Sequence, residues 1–283
     1  MQKIAVITDT DSSIPFDLAA HHHIVQVPMV IHFGEKSFEA VYAINDADTF
    51  RWIDQEGKLP TTAAPSPGKF ISAFNHAFDA GSEQIICLCV SSEVSGTYNA
   101  AITASESFPQ REIHVIDSRS LSMGLGYMAL AAAEAAAQGA STGEIISIID
   151  DIRQRTHLFA ALSTLKYLAM GGRVSNISAT MASMLNIKPI LTMRDGKLDL
   201  LEKVRTQKKA WERVIELSAL KTGDGQIEKM SILHVNARDM AEQFKSEIAN
   251  RMHCPPEILF VEVTPGLSVH SGAGMVGTVF VLK

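Results

Sequence analysis

The sequence lacks the features that would place it in a membrane, in an oxidising compartment or on nucleic acid. No stretch of its 283 residues approaches the roughly 20 consecutive apolar residues that a membrane helix needs. The chain begins with an apolar strand pattern at residues 3–7 rather than with a charged-then-apolar signal region. Acidic and basic residues are mixed, and the net charge of −6 does not indicate a basic nucleic-acid surface. We therefore expect a cytoplasmic protein with no nucleic-acid partner and no stable membrane anchor.

Cysteine is also scarce. The three cysteines cannot form a disulfide framework, and we expect buried, inert thiols. Cys87 and Cys89 share one apolar strand pattern, on which we predict that they point to opposite faces. The histidine run at residues 21–23 has no nearby carboxylate or cysteine at ligand spacing, so no metal site is predicted there.

Apolar residues are abundant enough to build a large core. They make up 46% of the chain, and 283 residues are long for one domain but sufficient for two. In the first half, short apolar runs alternate with helical patterns, which predicts a parallel sheet with covering helices. The strands predicted in this half are residues 4–7, 24–33, 85–90 and 113–116, and the helices are residues 70–78 and 98–108.

The second half follows a different pattern. Ser141 and Glu144 have the spacing of a capping box that begins a helix, and Asp195-Gly196 between two apolar runs predicts a hairpin. Two helix–strand pairs and a last strand follow, at residues 208–220, 230–235, 240–252, 257–264 and 275–282. We expect a mixed or antiparallel sheet here, and two lobes, 1–160 and 161–283.

Two polar loops of the first half are candidate ligand sites. Residues 91–97 lie between a buried strand and a helix, where backbone amides converge on an anion. Ser95 adds a hydroxyl, and Gly96 permits close approach of a ligand. Thr62 lies just before Ser66-Pro67, a sequence typical of a helix start with Ser66 as the cap. An ordinary capped or solvated loop is the alternative at both places.

Two further candidates lie in the second half. Arg173 follows paired glycines that end a helix, and a guanidinium forks onto a carboxylate or phosphate; the alternative is a helix end with Arg173 on its carbonyls. His270 lies on a glycine-rich stretch, residues 268–277, that we predict to be a turn. The glycine spacing there resembles a dinucleotide motif, but no helix and no acidic residue follow it, so no nucleotide cofactor is predicted.

Together these segments resemble the DegV family over nearly the whole chain. Eight motifs occur in the family's order: Ile7-Thr8-Asp9 with Asp11-Ser12, Pro65-Ser66-Pro67, Ser95-Gly96-Thr97-Tyr98, Val115-Ile116-Asp117-Ser118 with Met123-Gly124 and Gly126, Leu165-Lys166-Tyr167-Leu168 with Gly171-Gly172-Arg173, Leu185-Asn186-Ile187-Lys188-Pro189-Ile190-Leu191, Val204-Arg205-Thr206, and His270 with Gly272 and Gly274.

The resemblance implies a two-lobed α/β fold of the kind shared with dihydroxyacetone-kinase and EII-type domains. It also implies bacterial fatty-acid binding without catalysis, cofactor or metal. The acyl tail of a ligand such as palmitate, oleate or stearate would occupy an apolar tunnel, and its carboxylate would lie between the lobes. Some relatives present that carboxylate to a separate ATP-using kinase, which forms an acyl phosphate, and whether this chain has such a partner stays open.

Carried over by motif, Thr62 and Ser95 would hold the carboxylate, with the amide of Gly96 close by. Arg173 and His270 would approach from the second lobe.

Arg205 is a weaker candidate, for contact with the phosphorylated head group or with the partner. The chain departs from the family's usual Thr-Ser-Gln-Pro-Ser at Ala63-Ala64, and from its usual His-Thr-Gly-Pro-Gly at Ser271 and Ala273. These departures leave chain-length preference and partner recognition open.

Two other functions are compatible with the same residues. A phosphotransferase or hydrolase would use His270 as acid–base and Ser95 as nucleophile, although no motif supplies a carboxylate to orient the histidine and no phosphate loop or nucleophile elbow is present. A lipid-sensing regulatory module would use the same pocket, and no residue excludes it.

Overall fold

The computed structural model describes residues 3–171 and 187–283. Contacts group the chain into two compact units, the first formed by Met1–Ala43 and Thr62–Gln154 and the second by Ile44–Thr61 and Arg155–Lys283. The sequence predicted consecutive lobes, 1–160 and 161–283. The residue contacts differ from this prediction, because they group the segment 44–61 with the second unit. The helix in this segment packs against residues of that unit.

A four-stranded parallel sheet forms the core of the first unit. Its order is β2-β1-β6-β7, with β1 at Ile4–Asp9, β2 at Val25–Val27, β6 at Gln84–Cys89 and β7 at Glu112–Asp117. Ile7 pairs with Val25 on one side and with Cys87 on the other. The central strand β6 is almost wholly buried, as expected for a parallel sheet covered on both faces. The predicted parallel sheet is confirmed.

A second, smaller sheet corrects one predicted strand. Residues 24–33 form not one strand but two, β2 and then β3 (Val30–Phe33), which lie in different sheets. The interruption is at Pro28, which has no amide hydrogen to give to a sheet ladder. In the smaller sheet, β3 lies between β4 (Lys36–Glu39) and β5 (Thr61–Ala63), the strand that carries Thr62.

Helices cover the parallel sheet. They are α1 (Phe16–His21), α3 (Pro67–Asp79), α4 (Thr97–Ser105), α5 (Met123–Ala137) and α6 (Thr142–Arg155), and a short 3-10 helix follows β1 at Thr10–Ser12. The predicted helix at residues 70–78 lies within α3, which packs against α4 and the sheet through Phe70 and Phe74. The capping box is also confirmed, because the Ser141 amide donates to the Glu144 carboxylate (2.8 Å).

The prediction for the two strand cysteines is wrong. Side chains two residues apart on a strand point to the same face, and the Sγ atoms of Cys87 and Cys89 lie 3.9 Å apart in the core.

The second unit contains a six-stranded mixed sheet. Its order is β10-β9-β8-β13-β11-β12, with β8 at Thr156–Ala161, β9 at Lys188–Arg194, β10 at Lys197–Val204, β11 at Ile227–His234, β12 at Leu259–Glu262 and β13 at Val276–Leu282. Neighbouring strands are antiparallel except β11 and β12. The hairpin of β9 and β10 turns at Asp195 and Gly196, both with positive φ, as the Asp-Gly pair predicted.

The helices of the second unit are α2 (Asp46–Glu56), α7 (Lys166–Gly171), α8 (Gln207–Thr222), α9 (Arg238–Ala249) and α10 (Pro265–Ser271). Its core includes Trp211, Phe244 and Phe280. The expected glycine-rich turn at 268–277 is wrong in its first part, because α10 begins at Pro265 and continues to Ser271. Proline at the first helical position after Thr264 favours this start. Within the described ranges, no helix is long and apolar enough to cross a membrane.

Candidate functional site

Thr62 lies on β5 and is partly buried, whereas the adjacent Thr61 is exposed. The helix α3 begins four residues after β5, with Pro67 in its first turn and Ser66 as the N-cap residue. The Ser66 side chain makes no capping hydrogen bond, so the prediction that it caps the free amides is wrong although the helix start is correct. Pro67, whose φ is already helical, is sufficient to favour this start.

Ser95 lies at the N-terminus of α4, directly after the loop that leaves β6. Its backbone amide donates to the Ser91 carbonyl (3.1 Å), which closes the loop into a tight turn. Its Oγ lies 2.8 Å from Thr97 Oγ1 and accepts a hydrogen bond from the Thr97 amide (3.3 Å). Gly96, between them, is the N-cap residue of α4. The Ser95 hydroxyl is therefore held at a helix N-terminus, where the backbone favours an anion.

The structure brings the Thr62 and Ser95 loops together. A Cβ atom placed on Gly96 would lie 3.9 Å from the Cβ of Ala64, so the residues that follow Thr62 pack beside the N-terminus of α4. All of these residues belong to the first unit. The neighbour of Gly96 is a methyl group, at one of the two positions where the family pattern usually has a polar residue.

A buried carboxyl lies beneath the Ser95 loop. Asp9, the last residue of β1, accepts hydrogen bonds from the amides of Val90 (2.7 Å) and Asp11 (2.9 Å), one on each oxygen. Val90 is the residue at which the chain leaves β6. Burial raises the pKa of Asp9 to about 7, although these two amides lower it. Burial and the Asp9 charge also raise the pKa of Asp11 well above its usual value.

A second carboxyl holds the outer part of the same loop. Asp117, at the end of β7, accepts hydrogen bonds from the amide (3.2 Å) and hydroxyl (2.5 Å) of Ser92 and from the amide of Arg119 (2.9 Å). The loop is therefore tied to the ends of β1 and β7, the two strands that flank β6.

His270 lies in the last turn of α10, in the second unit, and is partly exposed. The middle of this helix is tied to α2, because the buried Ser268 hydroxyl donates to Oδ1 of the buried Asp46. Burial raises the pKa of Asp46 to about 7, although the Ser268 hydroxyl lowers it. The end of α10 lies against Tyr167: Gly272 has a φ of 80°, and a Cβ there would lie 2.3 Å from the ring.

The remaining predicted residues are placed as follows. Arg205 follows β10 directly and is exposed, next to Thr206, which caps α8. Arg173 lies outside the described residues. The structure thus places Thr62, Ser95 and Gly96 in the first unit, where Ala64 lies beside Gly96, and His270 and Arg205 in the second.

Asp9 and Asp46 were not predicted as parts of a site. Asp9 had a sequence signal, since it ends an apolar strand and stands within one of the family motifs. Asp46 had none, because an acidic residue in the first turn of a helix is common on protein surfaces. Within residues 3–171 and 187–283, no group of three or more His, Cys, Asp or Glu side chains could hold a metal ion.

Comparisons with known proteins agree over the whole chain. Residues 3–283 match the family described as "Uncharacterised protein, DegV family". A DegV domain-containing protein of Halalkalibacterium halodurans is 32% identical over 277 residues, which cover 98% of each chain. A structure of a Thermus thermophilus protein, described as fatty acid binding of a DegV family protein, has a TM-score of 0.92 at 25% identity and covers 99% of this chain and 100% of its own. The structure of DegV from Bacillus subtilis, described as a fatty acid binding protein, has a TM-score of 0.88 at 26% identity and covers both chains completely.

Proposed function

The chain belongs to the DegV family, and from that premise we propose that it binds a long-chain fatty acid by its carboxylate and performs no covalent chemistry itself. Palmitate, oleate and stearate are ligands of the proposed size. The relatives from Thermus thermophilus and Bacillus subtilis, both described as fatty acid binding, support this ligand class.

The observation that carries the proposal is the packing of the residues after Thr62 against the N-terminus of α4. A carboxylate removed from water is costly unless hydrogen-bond donors surround it. The hydroxyls of Thr62 and Ser95 and the amide of Gly96 would supply such donors next to a positive helix end. Donors to the charged form also keep the pKa of a carboxylic acid low, so the ligand would bind as an anion.

Two residues from elsewhere in the chain complete the proposed head-group site. The guanidinium of Arg173 would form a forked pair with the carboxylate, and the His270 imidazole would donate a further hydrogen bond. Arg205, exposed at the end of β10, is the proposed contact for a phosphorylated head group, or for a kinase that phosphorylates the bound acid.

The acyl tail would supply most of the affinity. Each buried methylene contributes about 0.8 kcal/mol, so roughly fourteen of them contribute on the order of 11 kcal/mol before the entropy of binding is subtracted. Each charge-assisted hydrogen bond to the head group contributes about 1.5–3 kcal/mol. In this proposal an apolar tunnel therefore sets affinity, and the polar residues set the register and direction of the ligand.

The competing function, an enzyme with Ser95 as nucleophile, is less well supported. The hydroxyl bonded to Ser95 belongs to Thr97, which is not a general base. Incubation of the pure protein with ATP and palmitate separates the two functions, because turnover without a second protein would favour the enzyme.

Two single substitutions test the head-group site. Ser95→Ala and Thr62→Val should each weaken palmitate binding about 10-fold or more, because each removes one hydroxyl donor to a charged group. Neither should change the thermal midpoint by more than a few degrees. The measurement is displacement of a fluorescent fatty acid, with native mass spectrometry of the purified protein to identify a co-purified acid.

Thr61→Val is the matched control, since Thr61 is the exposed neighbour of Thr62 on β5, and it should bind palmitate like the wild type. Equal affinity in all variants would remove Thr62 and Ser95 from the site. A wild-type protein that binds no fatty acid would overturn the proposed function.

A further inference from the structure

The helix that carries His270 is too short to hold itself in place. α10 has seven residues, and isolated helices of this length are not stable in water. Its position must therefore come from the elements packed against it, and these include α2 and α7. The direction of the His270 side chain therefore depends on two contacts of α10, one at its middle and one at its C-terminal end.

The first contact is made by Asp46, in the first turn of α2. It accepts the hydrogen bond of Ser268 and is only 3% exposed. Capping of α2 does not require it, because the side chain of Asn45 accepts the Asp48 amide (2.8 Å) at the N-cap position. A buried carboxyl is costly unless it has a hydrogen-bond partner. The partner of Asp46 is the hydroxyl of Ser268, which lies on α10 two positions before His270.

The second contact lies one turn further along α2. The ring of Phe50 packs edge-on against Tyr167 on α7, with 6.3 Å between the ring centroids. The Tyr167 ring in turn covers Gly272, directly after α10. Asp46 and Phe50 are four residues apart and so lie on the same face of α2. One face of α2 thus supports α10 at its middle residue, Ser268, and, through Tyr167, at its C-terminal end. His270 lies between these two contacts in the sequence.

We propose that Asp46 is a positioning residue for His270: its hydrogen bond with Ser268 fixes the orientation of α10 and thereby the direction in which the imidazole reaches the ligand's carboxylate. This inference rests on the proposed fatty-acid function. It adds to that function a residue that touches no ligand, and it assigns a role to the segment 44–61, which groups with the second unit although it lies early in the chain.

A double-mutant cycle on palmitate affinity tests the proposal. His270→Ala should weaken binding about 10-fold through loss of its hydrogen bond to the carboxylate. Asp46→Ala should weaken binding by a similar factor. The double variant should bind no more than about 2-fold more weakly than His270→Ala, because residues that act through one another are not additive. Asp46→Asn, which keeps an acceptor oxygen for Ser268, should return affinity to within about 2-fold of the wild type.

Hydrogen exchange without ligand supplies an independent readout. Amides of residues 266–271 should exchange faster in Asp46→Ala than in the wild type, because α10 loses its hydrogen bond to α2. Asp48→Ala is the matched control, since Asp48 lies in the same turn of α2 and pairs with Arg51 near the surface. It should change neither affinity nor exchange. If Asp46→Ala does not fold, Ser268→Ala removes the same hydrogen bond from the other side.

The outcomes separate this proposal from the proposed function. Additive losses in the double variant, or full affinity in Asp46→Ala and Ser268→Ala, would overturn the positioning role and leave fatty-acid binding intact. An unchanged affinity in His270→Ala would overturn the positioning role and remove His270 from the head-group site. A wild-type protein without fatty-acid affinity would overturn both proposals.

Discussion

Asp9 in the first unit and Asp46 in the second are both buried, and burial raises the pKa of each to about 7, yet they hold different partners. Both oxygens of Asp9 accept hydrogen bonds from backbone amides. Asp46 accepts a side-chain hydroxyl on Oδ1, and its Oδ2 has no hydrogen-bond partner within the part of the chain that the structure describes. The main chain leading to the Ser95 loop is thus held by backbone amides that any residue supplies, whereas α10 is held by the hydroxyl of one serine and by packing against Tyr167. Substitutions should therefore change the His270 side of the proposed site more easily than the Ser95 side.

Removal of the Asp9 carboxyl should have the largest effect. Asp9→Ala leaves two buried amides unpaired, each at a cost of about 1–3 kcal/mol, so we expect a loss of about 3 kcal/mol or more in the free energy of unfolding. Chemical denaturation followed by circular dichroism measures it. Asp79→Ala, at an exposed carboxylate, is the control and should change stability by less than about 0.5 kcal/mol. A loss in Asp9→Ala no larger than in this control would contradict the role given to Asp9.

The raised pKa of Asp46 predicts how stability depends on pH. The carboxyl titrates near 3.8 when unfolded and at about 7 when folded, so the folded state binds the extra proton between these values. The stability contributed by Asp46 is therefore present at low pH, falls as pH rises through this window, and is constant above it. Between pH 5 and pH 7 the fall should be about 2 kcal/mol.

Asp46→Asn should remove this part of the pH dependence, so the variant should gain stability relative to the wild type as pH rises from 5 to 7. Fluorescence follows the second unit selectively, because both tryptophans, Trp52 and Trp211, belong to it. The charge of Glu262 also raises the pKa of Asp46, and this residue is the same in the wild type and in Asp46→Asn. Asp48→Asn is the control. Parallel curves for wild type and Asp46→Asn would show that Asp46 does not titrate in this window.

The smallest expected effects come from substitutions at two glycines, which test the same contrast between the Ser95 side and the His270 side of the proposed site. Gly272→Ala should cost about 1–2 kcal/mol, because its φ is 80° and the new methyl would meet the Tyr167 ring. Gly96→Ala should stay within about 0.5 kcal/mol, because its φ is −75° and the nearest atom is 3.9 Å away. Thermal unfolding of the two variants measures the difference. Equal losses would show that α10 is not packed as closely as its contacts indicate.

Local patterns in the sequence predicted much of the fold. The apolar run at 85–90 gave the central strand β6, Asp195-Gly196 gave the hairpin, and Ser141 with Glu144 gave the start of α6. Each depends on neighbouring residues alone. Pro28 and Pro265 were equally local signals, but their consequences, a broken strand and an additional helix, were missed.

The site was predicted as separate loops rather than as an arrangement. The strand–loop–helix pattern identified Ser95 and Gly96, and Pro67 located the helix start after Thr62. Contact between these loops depends on packing between distant segments, which local periodicity does not encode. For the same reason nothing in the sequence indicated that Asp46 is buried against a serine near the other end of the chain.

The bond between Asp46 and Ser268 joins residues 222 positions apart, and this separation affects how the protein is made. At synthesis rates of about 5–20 residues per second, Asp46 leaves the ribosome roughly 10–45 seconds before Ser268. During that interval α2 has emerged but its partner helix does not yet exist. The nascent chain must therefore keep Phe50 and a carboxyl destined for the interior in solution, or on a chaperone, until Ser268 has emerged.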